Sequence, residues 1–161
     1  MGWKISITCG GPIEPELLDS FLPGWRPTGE TTDFHSATCD EDLAAGVLPN
    51  GMAVIVGPQG SPDLSSAAIE LSARGRSGEF HMYSTTSDYE FRLYERRRIQ
   101  KEGSTDSGSA YSGEDDDWDS DDDLAVELSE DGLWRLFEQT LKANDPNWRS
   151  TISMRVYDRD L

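Results

Sequence analysis

The chain has 161 residues, a formal net charge of −17 and an apolar content of 35%. This length fits one domain with a moderate core and leaves too little chain for two independent domains. No run of about eighteen apolar residues occurs, which argues against a membrane-spanning helix.

The first residues and the two cysteines bear on the cellular compartment. Residues 1–9 contain no basic segment followed by a long apolar stretch, so we expect no secretory signal. Cys9 and Cys39 are too few for a disulfide framework. They predict reduced thiols in a cytoplasmic protein, with a single bridge as the alternative.

The acidity is concentrated in one segment. Between Glu102 and Asp131 there are thirteen acids and no Lys or Arg, while the other residues carry 18 acids against 14 bases, a net of −4. The segment therefore indicates a local function or a local contribution to solubility, in contrast to a uniformly acidic surface.

The first third of the chain predicts two strands and two short helices. Residues 3–9 alternate apolar and polar side chains, which predicts a half-buried strand. Residues 15–21 predict a short helix opened by proline, and 25–38 show no regular period. Acids at the start of 40–45 predict another short helix. The unbroken apolar run 52–56 predicts a central strand covered on both faces.

The middle of the chain predicts a helix, a hairpin and a disordered insertion. A serine N-cap, a proline and helical apolar spacing predict a helix over 61–73. The stretches 79–85 and 88–97 have strand patterns and predict an antiparallel hairpin. Residues 101–123 are dominated by Gly, Ser, Thr and charged residues, so they have too little apolar area to offset the entropy of ordering.

Regular patterns return after the acidic insertion. Residues 124–128 predict a short strand, and 129–141 predict the clearest helix, with its leucines and Phe137 at helical spacing. Residues 151–157 alternate apolar and polar side chains and predict a closing strand.

These elements predict a single α+β domain, 1–161, that carries an acidic low-complexity insertion, 101–123. We expect a mixed, mostly antiparallel sheet of about five to six strands. Two to three helices should pack on one face of it, and the acidic loop should be long and disordered.

The densest acidic block, 115–123, invites a calcium interpretation because hard cations prefer clustered carboxylates. An EF-hand loop that starts at Asp117 would place Asp122 at the obligatory glycine and Leu128 at the bidentate glutamate. A loop that starts at Asp119 would place Leu124 at the glycine. Both registers fail at the most demanding positions, so we expect no specific metal site.

The same block can instead imitate the phosphates of a nucleic acid and occupy a basic groove, with a tryptophan as an apolar anchor. A half-exposed tryptophan on the helix 129–141 could add a second anchor. The predicted partner-binding residues are therefore Asp115, Asp116, Asp117, Trp118, Asp119, Asp121, Asp122, Asp123 and Trp134. A merely solvated acidic loop is the equally weighted alternative.

One basic cluster directly precedes the acidic insertion. It consists of Arg92, Arg96, Arg97, Arg98 and Lys101. The protein's overall negative field opposes nucleic-acid binding through so small a patch. Two interpretations remain: the acidic insertion folds back over these bases, or they face solvent as alternating strand residues.

Candidate catalytic residues are few. His35 and Cys39 could form a Cys–His pair or part of a metal site, joined by His81 or Cys9 only if the fold brought them together. Surface or core roles are favoured. Gly10-Gly11 lacks the rest of a nucleotide-binding loop and predicts a turn. We expect no catalytic residue and no cofactor.

The combined expectation is a non-enzymatic acidic binding protein that engages a basic protein partner, as an inhibitor, an immunity-type protein or a nucleic-acid mimic. We expect no direct binding of nucleic acid and no membrane association. A secretion or assembly chaperone, a divalent-cation-binding protein and a cryptic hydrolase are the alternatives. The sequence leaves the oligomeric state open.

Overall fold

The computed structural model describes residues 4–37, 43–57, 62–83, 88–104, 109–112, 130–142 and 147–159. Within them the strands are β1 (Lys4–Gly11), β2 (Trp25–Thr32), β3 (Leu43–Val47), β4 (Ala53–Gly57), β5 (Arg76–Tyr83), β6 (Asp88–Glu95), β7 (Arg98–Ser104), β8 (Ser109–Ser112) and β9 (Met154–Arg159). A 3-10 helix spans Pro15–Phe21. The α-helices are α1 (Phe34–Ala37), α2 (Pro62–Leu71), α3 (Glu130–Leu141) and α4 (Trp148–Thr151).

The strands form one sheet in the order β2-β9-β3-β4-β1-β5-β6-β7-β8. Every strand pair in the described residues is antiparallel. β1 is central, and its Ile7 lies opposite Val56 of β4 and Phe80 of β5. The strands β2 and β8 are the two edges of the sheet.

Helices cover both faces of the sheet, because alternate side chains of the central strands enter two different cores. On the first, here called the aromatic face, Ile5, Ile7 and Cys9 of β1 pack with apolar side chains of α1, α3 and α4. On the second, the α2 face, Ile55 of β4 packs with α2 and the 3-10 helix. None of the described helices is long and apolar enough to cross a membrane.

The α+β class is confirmed, and the sheet is larger than expected. It has nine strands in place of five to six, with no parallel pair among those described. The expected restriction of the helices to one face is wrong, because α2 and α3 pack on opposite faces. The expected half-burial of β1 is also wrong, since its polar Ser6 and Thr8 are fully buried on the α2 face.

Most predicted elements have a counterpart in the fold. The strands expected at 3–9, 52–56 and 151–157 correspond to β1, β4 and β9, and the hairpin corresponds to β5 and β6. The helices expected at 61–73 and 129–141 correspond to α2 and α3. The strand expected at 124–128 lies outside the described residues.

Three stretches differ from expectation. The acids at the start of 40–45 suggested a short helix, but Leu43–Val47 is β3, held between its neighbouring strands β4 and β9. At Gly46 an added Cβ would lie 2.8 Å from the Ser153 carbonyl oxygen, so a small residue allows the close strand contact. The irregular stretch 25–38 contains β2 and α1, and 101–123 contains the end of β7 and β8.

The aromatic face should carry much of the folding free energy. Phe137 of α3 is fully buried and contacts the rings of Phe34, Phe80, Trp134 and Trp148 at centroid distances of 5.6 to 6.0 Å. Phe137→Ala should lower the free energy of unfolding by about 3 to 5 kcal/mol through lost burial and a new cavity. Urea unfolding followed by tryptophan fluorescence measures this loss.

The exposed Gln139 on the same helix provides the matched control. Gln139→Ala should change the free energy of unfolding by less than about 0.5 kcal/mol, because it removes no buried contact. A loss below about 1.5 kcal/mol for Phe137→Ala would show that the aromatic cluster is not the principal core.

Candidate functional site

The predicted partner-binding residues divide into two groups. Asp115, Asp116, Asp117, Trp118, Asp119, Asp121, Asp122 and Asp123 lie outside the described residues. Trp134 is described, and it lies on α3, half-buried at the edge of the aromatic core.

Trp134 is fixed by rings on one side and by a cation on another. Its ring meets Phe34 edge to face at 6.0 Å between centroids, and Phe137 at 5.7 Å. The Arg149 guanidinium lies 4.9 Å from the Trp134 centroid, within the range of a cation–π interaction. The indole is thus held rigidly while part of it remains accessible.

Glu138 positions the cation over these rings. Arg149 Nη2 donates a 2.6 Å hydrogen bond to Glu138 Oε2, and Trp148 Nε1 donates a 3.1 Å bond to Glu138 Oε1. One carboxylate one turn beyond Trp134 therefore holds both α4 and the guanidinium. Immobilised tryptophan and arginine are the residue types that most often anchor protein interfaces.

A second constellation on the α2 face could not be anticipated from the sequence. The Glu79 carboxylate has no exposed surface, yet four polar side chains surround it. Arg92 Nη1 donates to its Oε1 at 2.8 Å, and Ser65 Oγ does so at 3.2 Å. Tyr94 Oη donates to Oε2 at 3.0 Å. His81 Nε2 lies 3.3 Å from Oε1.

These donors keep Glu79 ionised. Burial alone would raise its pKa, but the hydrogen bond and charge of His81 and the hydrogen bonds from Arg92 and Ser65 outweigh burial and lower the pKa from 4.5 to about 2. Burial and the Glu79 charge raise the pKa of Tyr94. For Arg92, burial opposes the charge, but Glu79 and Glu90 dominate and raise the pKa of the guanidinium.

Ser6, His81 and Glu79 form a hydrogen-bonded chain, with Ser6 Oγ 2.8 Å from His81 Nδ1. Because the ionised Glu79 can only accept, His81 Nε2 carries the shared hydrogen. This hydrogen-bonded series has the same order of groups as a hydrolytic Ser–His–acid triad. Ser6 is a central β1 residue with no exposed surface, so its hydroxyl cannot reach a substrate, and the chain serves to satisfy buried polar groups.

The sequence-derived Cys–His candidates are not united in the described structure. The Cys39 residue and the His35 side chain lie outside the described residues. Cys9 packs into the aromatic core, while His81 bonds Ser6 on the α2 face, so the sheet separates them. The Cys9 thiol is free, and burial, then the charge of Glu138, raises its pKa. Among the described residues no group of three or more His, Cys, Asp or Glu could hold a metal ion.

The predicted basic cluster is split between two environments. Arg92 belongs to the Glu79 network and is also paired with Glu90 and Glu102, at 2.6 and 3.6 Å. Arg96 and Arg97 form the turn between β6 and β7, which the structure places against the end of α2. The five bases therefore do not form one exposed patch.

Comparison with known proteins gives no relative. No protein-family model matches the sequence, and neither a curated protein nor a solved structure matches it. Functional inference for this chain therefore rests on its own residues.

The Glu79 network predicts a characteristic dependence of stability on pH. Since the folded pKa lies below the ordinary value, ionised Glu79 stabilises the fold above pH 4.5, and this contribution disappears as pH falls towards 2. A shift from 4.5 to about 2 corresponds to a contribution on the order of 3 kcal/mol. Glu79→Gln should lower the free energy of unfolding at pH 7 by about 2 to 4 kcal/mol and flatten the acid limb.

Glu102→Gln is the matched control, because Glu102 also faces Arg92 but at 3.6 Å and with 44% of its side chain exposed. Glu102→Gln should lower the free energy of unfolding by less than about 1 kcal/mol. Urea unfolding of the unchanged protein and the two variants between about pH 2 and pH 7 separates the contributions of Glu79 and Glu102 to stability. Equal losses for both variants would contradict the special role of the buried carboxylate.

Proposed function

We propose that this chain is a non-enzymatic binding protein whose acidic residues engage a basic surface of a protein partner. The observation that carries the proposal is the separation of charge. Between Glu102 and Asp131 the sequence has thirteen acids and no Lys or Arg. The other residues carry 18 acids against 14 bases, a net of −4.

The folded body neutralises many of its own cations. Arg149 pairs with Glu138 at 2.6 Å and Arg155 with Asp19 at 3.4 Å, and Arg92 has three carboxylate neighbours. The surplus acids are therefore not required to balance the body. Closely spaced carboxylates speed the association with a basic partner and can occupy a groove that otherwise holds nucleic acid.

Trp134 supplies the second component of the proposed interface. The segment 114–123, here called the acidic tract, is followed by α3, which begins at Glu130 and carries Trp134 in its second turn. Electrostatic attraction would guide the encounter, and the half-buried indole held by Arg149 would provide a rigid apolar anchor. A role as an inhibitor or immunity-type protein, or as a nucleic-acid mimic, fits an interface that combines an acidic tract with an aromatic anchor.

A chaperone for apolar segments fits the surface less well. Among the described residues Ile99 is the one large apolar side chain classed as exposed, with 42% of its surface accessible. Apolar cargo requires a broader apolar surface. We place the protein in the cytoplasm, where the free thiol of Cys9 stays reduced, and we propose no direct nucleic-acid contact because the net charge is −17.

Capture from a native lysate tests the role of the acidic tract. The comparison uses the intact chain and a variant in which the eight acids of residues 114–123 become amides. The intact chain should retain a basic protein that the neutralised variant loses, because removing these eight charges weakens the electrostatic attraction to that protein. Quantitative mass spectrometry of the bound fraction provides the measurement. Equal recovery by both would place recognition in the folded body.

The captured basic protein then tests Trp134. Trp134→Ala should raise its dissociation constant by about ten-fold or more, as expected for a buried aromatic anchor. Trp25→Ala removes another half-buried tryptophan, but one packed against the α2-face core, and it should change the constant less than about three-fold. Calorimetry on variants verified as folded measures both dissociation constants. Equal changes for the two variants would show that Trp134 is not part of the interface.

A further inference from the structure

One end of this acidic protein is positively charged. Two adjacent turns there, after α2 and between β6 and β7, and the first residues of β5 and β7 carry Arg74, Arg76, Arg96, Arg97 and Arg98, here called the arginine end. Two of these arginines form ion pairs with carboxylates, Arg97 with Glu70 at 3.1 Å and Arg76 with Glu95 at 3.9 Å. The end is thus rich in bases in a chain of net charge −17.

The backbone holds these arginines in an unusual conformation. Arg96 and Arg97 have φ values of 56° and 65°, a left-handed region that L residues rarely occupy. Ser72, after α2, binds both: its carbonyl accepts from Arg96 N at 3.0 Å and its hydroxyl accepts from Arg97 N at 2.7 Å. The two turns therefore form one fixed arginine-bearing surface.

Much of this positive charge is accessible to an anionic ligand. Arg74, Arg96 and Arg98 are exposed and form no ion pair with any residue in the described part of the chain. The pair Arg97–Glu70 is more than half exposed on both sides, and such surface pairs contribute little. The exposed guanidinium groups suit planar carboxylates, which they can bind through two parallel hydrogen bonds.

The direction of β8 bears on which of this chain's acids can reach that end. β7 begins at Arg98, and its antiparallel partner β8 pairs Ser109 with Ser104 and Ser112 with Glu102. β8 therefore runs back towards the arginine end. Only four positions separate Glu102 from Arg98, a distance of about 13 Å along a strand. Glu114 follows Ser112 by two positions, so a few residues beyond β8 suffice to cover this distance.

We propose that the arginine end is the intramolecular docking surface for Glu114, Asp115, Asp116 and Asp117, the first acids of the tract, in the free protein. The inference rests on the proposed use of the acidic tract and adds its regulation: a basic partner must compete with the arginine end for these carboxylates. A tether of a few residues gives an effective concentration in the millimolar range, which favours the same chain over a second copy. Phosphate-rich polymers are disfavoured as occupants by the net charge of −17.

A labelled polyglutamate peptide provides the probe for a vacant arginine end. In the first variant Glu114→Gln, Asp115→Asn, Asp116→Asn and Asp117→Asn remove the docking acids. The matched control carries Asp119→Asn, Asp121→Asn, Asp122→Asn and Asp123→Asn, which change the net charge by the same four units. At low salt, fluorescence anisotropy should show at least about ten-fold tighter peptide binding by the first variant than by the control.

Adding Arg96→Gln and Arg98→Gln to the first variant should abolish the gain, because these substitutions remove the proposed docking surface. Equal peptide binding by the first variant and the control would overturn the proposal, since reduced overall repulsion alone would then explain it. Sedimentation of the intact chain should show no charge-dependent self-association; docking onto a second copy would also overturn it. The assay uses no basic partner, so failure of the capture experiment and failure of this one are distinguishable.

Discussion

The buried, ionised carboxylate of Glu79 is the interaction on which the α2 face depends. A carboxylate without exposed surface is costly unless its oxygens are hydrogen-bonded and its charge is compensated. Arg92 and Tyr94 of β6 and Ser65 of α2 supply the hydrogen bonds, and the Arg92 guanidinium compensates the charge. Their bonds fix the register of β5 against β6 and the position of α2 over them. A shift of β6 by one residue would turn Arg92 to the opposite face and leave the charge unpaired.

This network also shapes the electrostatics of the molecule. By engaging Arg92 with three carboxylates, it neutralises the first member of the basic cluster, although the Arg92 side chain is still 32% exposed. Five other arginines lie at the arginine end, while the thirteen acids between Glu102 and Asp131 have no Lys or Arg among them. In the function proposed above, these acids attract a basic partner, and the arginine end competes for the first acids of the tract.

The sequence predicted the elements with strong local patterns and missed those set by neighbouring strands. β4, α2 and α3 have periodicities that identify them without tertiary context. β3 has helix-favouring alanines, and β2 is exposed on both faces, so neither has a readable period. Trp134 could be identified from its place beside the α3 stripe. Glu79 could not, because its partners come from α2, β5 and β6, and the packing of these three elements becomes visible only in the fold.

The central claim is that long-range attraction between the acidic residues and a basic partner drives recognition. The association rate constant of the intact chain with its captured basic partner, measured by stopped-flow tryptophan fluorescence across ionic strength, tests it most directly. The rate constant should fall at least about ten-fold between about 0.05 M and about 0.5 M salt, because screening removes electrostatic steering. A rate constant that stays constant over this range would contradict the claim.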